Sequence, residues 1–324
     1  MATFDATQEL KLYIDADSKT AERIRAAIAA AGLKVQEVNK PAKKAFLNLV
    51  IDPTAVKEAE GYHIVTTPEG INIKAHSGAG LFYAIQSIRQ MMEGELEGRW
   101  LEGEIYDYPR FDYRGILIDI SRHHRSVEFL KRQIDMMARL KMNRLHLHLT
   151  DAAGWRIEVE AYPRLTEYAA WRKGATWKEW WSRDNRDYAE MGTEGAYGGY
   201  LTKEDAKELV RYAADRYITI IPEIEMPGHS AEVVAAYPEL ACSQKPEQQE
   251  DLCIGKEATF EMMQTILDEI IEIFPSEYIH IGGDEATKKS WTECEDCQRR
   301  MREEGLESVD ELQSYMIHRI EEYL

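Results

Sequence analysis

The stretch Tyr278-Ile-His-Ile-Gly-Gly-Asp-Glu-Ala-Thr-Lys-Lys-Ser-Trp291 decides the fold. Its apolar run, residues 278–281, predicts a short buried strand. The strand ends at Gly282-Gly283, where backbone can turn sharply and pass close to a ligand. Two adjacent carboxylates, Asp284 and Glu285, then fall at the C-terminal end of the strand. Parallel α/β sheets carry their chemistry at that end. Successive extended residues point in different directions, so the two acids can reach different atoms of one substrate. Crowding also helps to split their pKa values. The competing reading is structural, with Asp284 as the N-cap of a following helix and Glu285 beside its dipole.

Upstream of this stretch the chain alternates strand and helix. Residues 115–120 read as a continuous apolar strand of the kind covered on both faces. Ser126 can cap a helix with Val127, Leu130, Ile134 and Met137 on one face. Residues 143–150 form the second strand. Thr202-Lys-Glu-Asp205 resembles a capping box, with Asp in place of Glu or Gln, and opens another helix. Residues 217–223 form the third strand, broken by Pro227-Gly228-His229. Phe260, Met263, Leu267, Ile270 and Phe274 stripe a helix, as do Val309, Leu312, Met316 and Ile320 after the fourth strand. Between the second strand and its neighbour lies an aromatic stretch, residues 155–200, with Trp171, Trp177, Trp180 and Trp181. It is too long for an ordinary βα connection, and either carries function or packs on itself.

Four βα units in series predict an α/β fold with a parallel sheet and helices outside it. A closed barrel of eight strands takes about 250 residues. Residues 107–324 are therefore expected to form the first four βα units of a (β/α)8 TIM-barrel type fold. Residues 1–106 read as a separate small α+β domain. Residues 10–14 and 45–51 are its strands, 20–31 an Ala-rich helix, and 62–67 with 71–75 a hairpin about Pro68-Glu69-Gly70. From Gly78 the period becomes helical, with Leu81, Ile85, Ile88 and Met92 on one face. No catalytic constellation falls in this domain.

The formal charge of −18 argues against nucleic acid or an anionic membrane as partner and suits a neutral substrate. No apolar run approaches the roughly 20 residues of a membrane span. The first residues lack the basic-then-apolar pattern of a secretory signal, so the protein is expected to be cytoplasmic or to have lost its signal. Cys242 and Cys253 flank a polar loop, and Cys294 and Cys297 form a lone C-x-x-C. With no second pair at zinc-ligand spacing, disulfides or inert thiols are expected ahead of a metal.

All four strand ends are polar. Asp119-Ile-Ser-Arg-His-His124 follows the first, and His146-Leu-His-Leu-Thr-Asp151 with Gly154-Trp155 the second. Pro222-Glu-Ile-Glu-Met-Pro-Gly-His229 follows the third and Asp284-Glu285 the fourth. Four in succession mark a site. His146 and His148 share a strand face, which leaves a metal-dependent barrel hydrolase as one alternative. The flanking leucines equally suit buried, hydrogen-bonded histidines.

Taken together, these four motifs resemble glycoside hydrolase family 20, the β-N-acetylhexosaminidases, throughout residues 107–324. Residues 1–106 look like the small α+β domain that often precedes the family's barrel. The resemblance implies exo-hydrolysis of terminal, non-reducing β-linked N-acetylglucosamine or N-acetylgalactosamine, with no metal or other cofactor. It also implies retention by substrate assistance, in which the acetamido oxygen attacks the anomeric carbon and gives an oxazolinium ion. Glu285 matches the general acid/base and Asp284 the residue that orients the acetamido group. Arg122 matches the arginine that grips sugar hydroxyls, and Asp151 and His229 a supporting pair behind the acid. A secreted or periplasmic home follows from the family, and a Cys242–Cys253 bridge would fit it.

Three departures from the family pattern stand out. Glu225 replaces a usual Asp, and Ala152-Ala153 replaces a more polar pair. The family's later tryptophans and acetamido-binding tyrosine fall beyond Leu324. A catalytically incomplete glycan-binding module that keeps Arg122 and Asp284 is therefore the second reading. Self-association, or association with a C-terminal half, is expected to cover the open sheet edges.

Overall fold

The computed structural model describes residues 3–93, 99–182, 186–242 and 250–324. The polar loop expected between Cys242 and Cys253 lies largely in 243–249, outside the described residues. The chain divides into two compact units. One comprises 1–114 with 133–143 and 213–218, the other 115–132, 144–212 and 219–324.

The first unit carries β1 (Thr3–Asp5), β2 (Leu10–Asp15), α1 (Ser18–Ala30), β3 (Val35–Glu37) and β4 (Phe46–Ile51). It continues with β5 (Tyr62–Thr67), β6 (Gly70–Ala75), α2 (Gly78–Glu93), β7 (Arg99–Leu101) and β8 (Gly103–Asp107). Six strands form a mixed sheet in the order β3-β2-β4-β6-β5-β8. The β5–β6 pair is the expected antiparallel hairpin. Alternation along the strands buries Leu10, Leu12, Leu47, Leu49, Ile64, Ile71 and Ile73. Helix α2 contributes Leu81, Ile85 and Ile88 to this core and α1 contributes Ile24 and Ile28. Asp17 caps α1 by accepting from the Thr20 amide at 3.0 Å.

The second unit and its flanking helices begin with β9 (Gly115–Asp119), α3 (Val127–Arg139), β10 (Arg144–His148), α4 (Arg164–Glu167) and β11 (Trp171–Lys173). Then come α5 (Trp177–Trp181), β12 (Ala196–Gly198), α6 (Lys203–Ala214), β13 (Thr219–Glu223) and α7 (Ala231–Ala236). The last helices are α8 (Glu257–Ile273), α9 (Lys289–Glu293), α10 (Glu295–Glu304) and α11 (Val309–Tyr323). Strands β13, β10 and β9 lie parallel in that order. Their register sets Asp119, His148 and Glu223 side by side at the C-terminal end. This is the strand–helix order of the opening βα units of a TIM-type barrel. The Ser126 cap forms, with the Phe129 amide 3.3 Å from its hydroxyl. The Thr202–Asp205 box also closes on both sides, at 3.0 and 3.1 Å.

Two expectations are corrected. Residues 278–281 are not a buried strand. They run beside β13 through one bridge, Glu223–His280, with Ile224 and Met226 amides donating to His280 and Ile281 carbonyls at 3.0 and 3.2 Å. Tyr278 is 58% exposed. Only one bridge forms before Gly282, at φ +68°, turns the chain out of extended geometry. Likewise β9 is not covered on both faces, because Leu117 is 56% exposed.

Candidate active site

The β13 end organises the site. Glu223 accepts from His146 at 2.9 Å, from His280 at 2.9 Å, and from His148 Nδ1. Burial alone would raise its pKa, but the three imidazoles hold it far below the usual carboxylate range. His146 and His148 do share a face, and both direct a nitrogen at this one carboxylate. That is a hydrogen-bonded arrangement, as the flanking leucines suit, and with His280 it also gathers three groups of metal-ligating type, His146, Glu223 and His280, within 4.8 Å of one another.

His148 turns its other nitrogen, Nε2, to Asp151 at 3.2 Å. Burial opposes its charge, yet the hydrogen bonds to Asp151 and Glu223 push its pKa up to about 10. Asp151 is 3% exposed and gathers three cations. Arg122 Nη2 lies 2.5 Å away, His148 at 3.2 Å and His229 Nδ1 at 3.4 Å. Burial would raise the Asp151 pKa, but the hydrogen bonds from the two histidines and the Arg122 charge bring it below the usual value. Arg122 is also fixed by Asp119, which accepts from its Nη1 and its backbone amide at 3.0 Å each. Its side chain is one-third exposed.

His229 follows the cis peptide Met226–Pro227 and has φ +51°. Its Nε2 reaches Glu285 at 3.3 Å and Asp284 at 3.6 Å. The Asp151 hydrogen bond, against the opposing effect of burial, pushes the His229 pKa up to about 9. Asp284 and Glu285 are well exposed, at 66% and 78% of their side-chain surface. Helix α9 starts only at Lys289, so Asp284 is not the cap of a helix. The structure therefore brings four of the residues singled out, Asp151, His229, Asp284 and Glu285, into one chain of contacts, with Arg122 joined to it through Asp151.

Glu225 lies beneath the acid loop and is 3% exposed. Gly283 N donates to its Oε2 at 3.4 Å, and its own amide donates to Thr150 Oγ1 at 2.8 Å. A Cβ on Gly282 would come within 1.9 Å of Glu225 Oε2, so only glycine permits this approach. Burial, then the nearby Asp284 and Glu223 charges, push the Glu225 pKa up to about 8.

Several residues support the site in ways the motifs do not state. Arg156 is fully buried and donates to the carbonyls of Ser121, Ala153, Ala170 and Gly199 at 2.5–3.1 Å. Arg172 donates to Ala153 O and Arg122 O at 2.9 and 2.8 Å. These two cations tie together the loops after β9 and β10. The aromatic stretch packs on itself in part: Trp180 is buried against Ala152, Ala153 and Tyr188. Trp177 and Trp181 stack at 5.3 Å, with Trp181 44% exposed. Asp251 clasps the segment just past Glu285, accepting from Thr287 Oγ1 at 2.6 Å and from Lys288 N at 2.8 Å. Finally, the two cysteine pairs are not separate, as their spacing had suggested. All four sulfurs lie within 4.8 Å of one another, and no disulfide joins them. The Cys242–Cys253 bridge is thus absent from the structure.

Residues 111–324 match glycosyl hydrolase family 20, catalytic domain, and residues 1–108 match glycosyl hydrolase family 20, domain 2. The β-hexosaminidase of Porphyromonas gingivalis is 39% identical over 320 residues, which cover 94% of this chain and 39% of that protein. Among solved structures, the β-N-acetylhexosaminidase from Bacteroides fragilis superposes with a TM-score of 0.82 at 34% identity, covering 99% of this chain and 61% of that one. The exo-β-N-acetylglucosaminidase from Vibrio harveyi, in complex with N-acetylglucosamine, gives 0.81 at 28% identity, covering 97% and 49%. The chain spans 39–48% of the length of three curated relatives named β-hexosaminidase, those of P. gingivalis, Akkermansia muciniphila and Vibrio furnissii.

Proposed function

The chain belongs to glycosyl hydrolase family 20, and from that premise we propose that the protein removes terminal β-linked N-acetylhexosamine from glycans with retention of configuration. The observation that carries this reading is the contact chain Asp151–His229–Glu285 beside Arg122 at one end of a parallel sheet. Such a chain orients one exposed carboxyl without supplying a protein nucleophile.

In this reading Glu285 donates its proton to the leaving glycosidic oxygen, and then takes one from water in the second step, a role typically worth about 10²–10⁴-fold. Asp284 accepts from the acetamido N–H. It turns the acetamido oxygen toward the anomeric carbon and offsets the positive charge that develops on the ring formed. Arg122 grips vicinal hydroxyls while Asp119 and Asp151 fix its plane. His229 and Asp151 are positioning residues, since they act through Glu285. The net charge of −18 favours neutral glycans over polyanions. No helix among the described residues is long and apolar enough to cross a membrane.

The test is hydrolysis of an aryl N-acetyl-β-glucosaminide, with an aryl β-glucoside as control. Turnover of the first alone, lost in Glu285→Gln, supports the reading. Equal turnover of both substrates would remove substrate assistance. Saturable N-acetylglucosamine binding without turnover would favour a glycan-binding role.

A further inference from the structure

Four cysteines meet away from the acids, on three pieces of chain. Cys242 follows the short 3-10 turn Pro238–Leu240, and Cys253 stands ahead of α8. Cys294 is the N-cap of α10, and Cys297 lies in the first turn of that helix. Three are buried and Cys242 is partly so. Three of the six sulfur separations are close to one another, at 3.7 Å for Cys242–Cys297, 3.6 Å for Cys253–Cys294 and 3.7 Å for Cys253–Cys297, and all six lie within 4.8 Å. Four sulfurs about 2.3 Å from a zinc ion at tetrahedral angles stand about 3.8 Å apart. A disulfide would instead draw one pair to about 2.05 Å. None of these three pairs is singled out.

A helix N-terminus and a backbone donor face part of the cluster. The α10 N-terminus favours negative charge on Cys294 and Cys297. The Gly255 amide donates toward the Cys253 sulfur. Gly255 also passes so close to Asp296 and Cys297 that a Cβ would lie 2.1 Å from the Asp296 carbonyl carbon. The two ligand-bearing strips of chain are thus pressed backbone to backbone. Lys256 Nζ binds the carbonyls of Glu239 and Ala241 at 2.8 and 2.7 Å, and Arg299 binds Gly255 O at 3.2 Å. Two cations therefore border the cluster.

We propose that Cys242, Cys253, Cys294 and Cys297 bind one zinc ion, forming a structural site that holds the loop carrying Glu285. The link to that loop is short. Asp251 and Leu252, just before Cys253, accept from Lys288 N, Thr287 Oγ1 and Trp291 Nε1 at 2.6–2.9 Å. Leu252 N in turn donates to Pro227 O at 2.8 Å, next to His229. A closed shell of four thiolates leaves no position for a substrate, so its role is cohesion rather than chemistry. Binding requires the thiols to give up their protons to solvent as the zinc–sulfur bonds form, with no change of oxidation state.

The experiment is metal analysis of the protein prepared in reducing buffer without chelator, followed by cobalt(II) exchange. The expected result is one zinc per chain, thiolate-to-cobalt charge-transfer absorption after exchange, and loss of both in Cys297→Ala. Amide exchange over residues 284–291 should accelerate in that variant while residues 46–75 keep their protection. Iron in place of zinc, or four thiols titrating freely in the folded metal-free protein, overturns the assignment. Disulfides in the intact mass of freshly prepared protein overturn it too. Unchanged exchange over 284–291 in a zinc-free sample refutes the link to the acid loop. If Cys297→Ala does not fold, the wild-type zinc content and cobalt spectrum still decide the matter. None of these readouts depends on glycoside hydrolysis, so this proposal and the enzymatic reading fail separately.

Discussion

The Nε2 nitrogen of His229 stands 3.3 Å from a carboxylate oxygen of Glu285 and makes no hydrogen bond among the described residues. A buried nitrogen without a hydrogen bond costs on the order of 1–3 kcal/mol, and the exposed Glu285 side chain is the nearest carboxylate to it. Hydrogen bonds of this kind often tighten only around a bound substrate. The other nitrogen is committed to Asp151, which keeps the ring charged to about pH 9.

His229→Asn should therefore lower kcat on the order of 10²-fold, the cost of a catalytic group set about 1 Å astray. KM should change far less. The wild-type pH profile should lose activity through about pH 9 as His229 gives up its proton, and the variant should lack that limb. A variant with the wild-type alkaline limb would exclude His229 as its source.

Glu225, His229 and His148 all have pKa values raised in the folded protein, to about 8, 9 and 10. A raised folded value stabilises the protein fully below the unfolded pKa and loses that contribution as pH rises through the folded one. For Glu225 the loss runs from about 4.5 to about 8, and for the histidines from about 6.5 upward. Thermal stability should accordingly fall on the alkaline side. Glu225→Gln keeps an oxygen for the Gly283 amide but removes the buried charge. It should gain up to a few kcal/mol over wild type near pH 8.5, and nothing at pH 4. Parallel melting curves across this range would refute the linkage.

Arg156 serves carbonyls of residues 121, 153, 170 and 199 from a fully buried position. Arg156→Met would strand several of them, at about 1–3 kcal/mol each. Urea unfolding should show a loss above about 3 kcal/mol, or no cooperative transition at all. A loss below about 1 kcal/mol would mean that water satisfies these carbonyls equally well.

The sequence disclosed the acids more readily than their support. Gly282-Gly283 before Asp284-Glu285 announces a turn at a strand end, and local chemistry suffices to read it. The helices followed from their apolar period, and the parallel order from strand–helix alternation. The fourth strand failed because the glycines that announce the turn also cut its ladder short, to one bridge with β13. Arg156 falls in the Gly154-Trp155-Arg156 motif, but neither its role nor that of Arg172 is legible, because their partners are backbone carbonyls, which every residue carries. The cysteine cluster stayed hidden for a related reason. Cys242 and Cys253 do not fall at a regular ligand spacing, and only the approach of Gly255 to Cys297 brings the pairs together.

Gly282 and Gly305 share φ +68°, yet their surroundings differ. A Cβ on Gly282 meets Glu225 Oε2 at 1.9 Å, whereas one on Gly305 meets nothing within 4 Å. Both substitutions to Ala carry the left-handed backbone cost, about 1–2 kcal/mol. Only Gly282→Ala must also push Glu225 or the acid loop aside. Displacing Asp284 and Glu285 by about 1 Å should lower kcat on the order of 10²-fold. Gly305→Ala should lose comparable backbone stability and keep its turnover. If both variants keep wild-type kcat, the close packing of the acid loop on Glu225 does not set catalytic geometry. If both lose it equally, backbone strain rather than the clash is responsible.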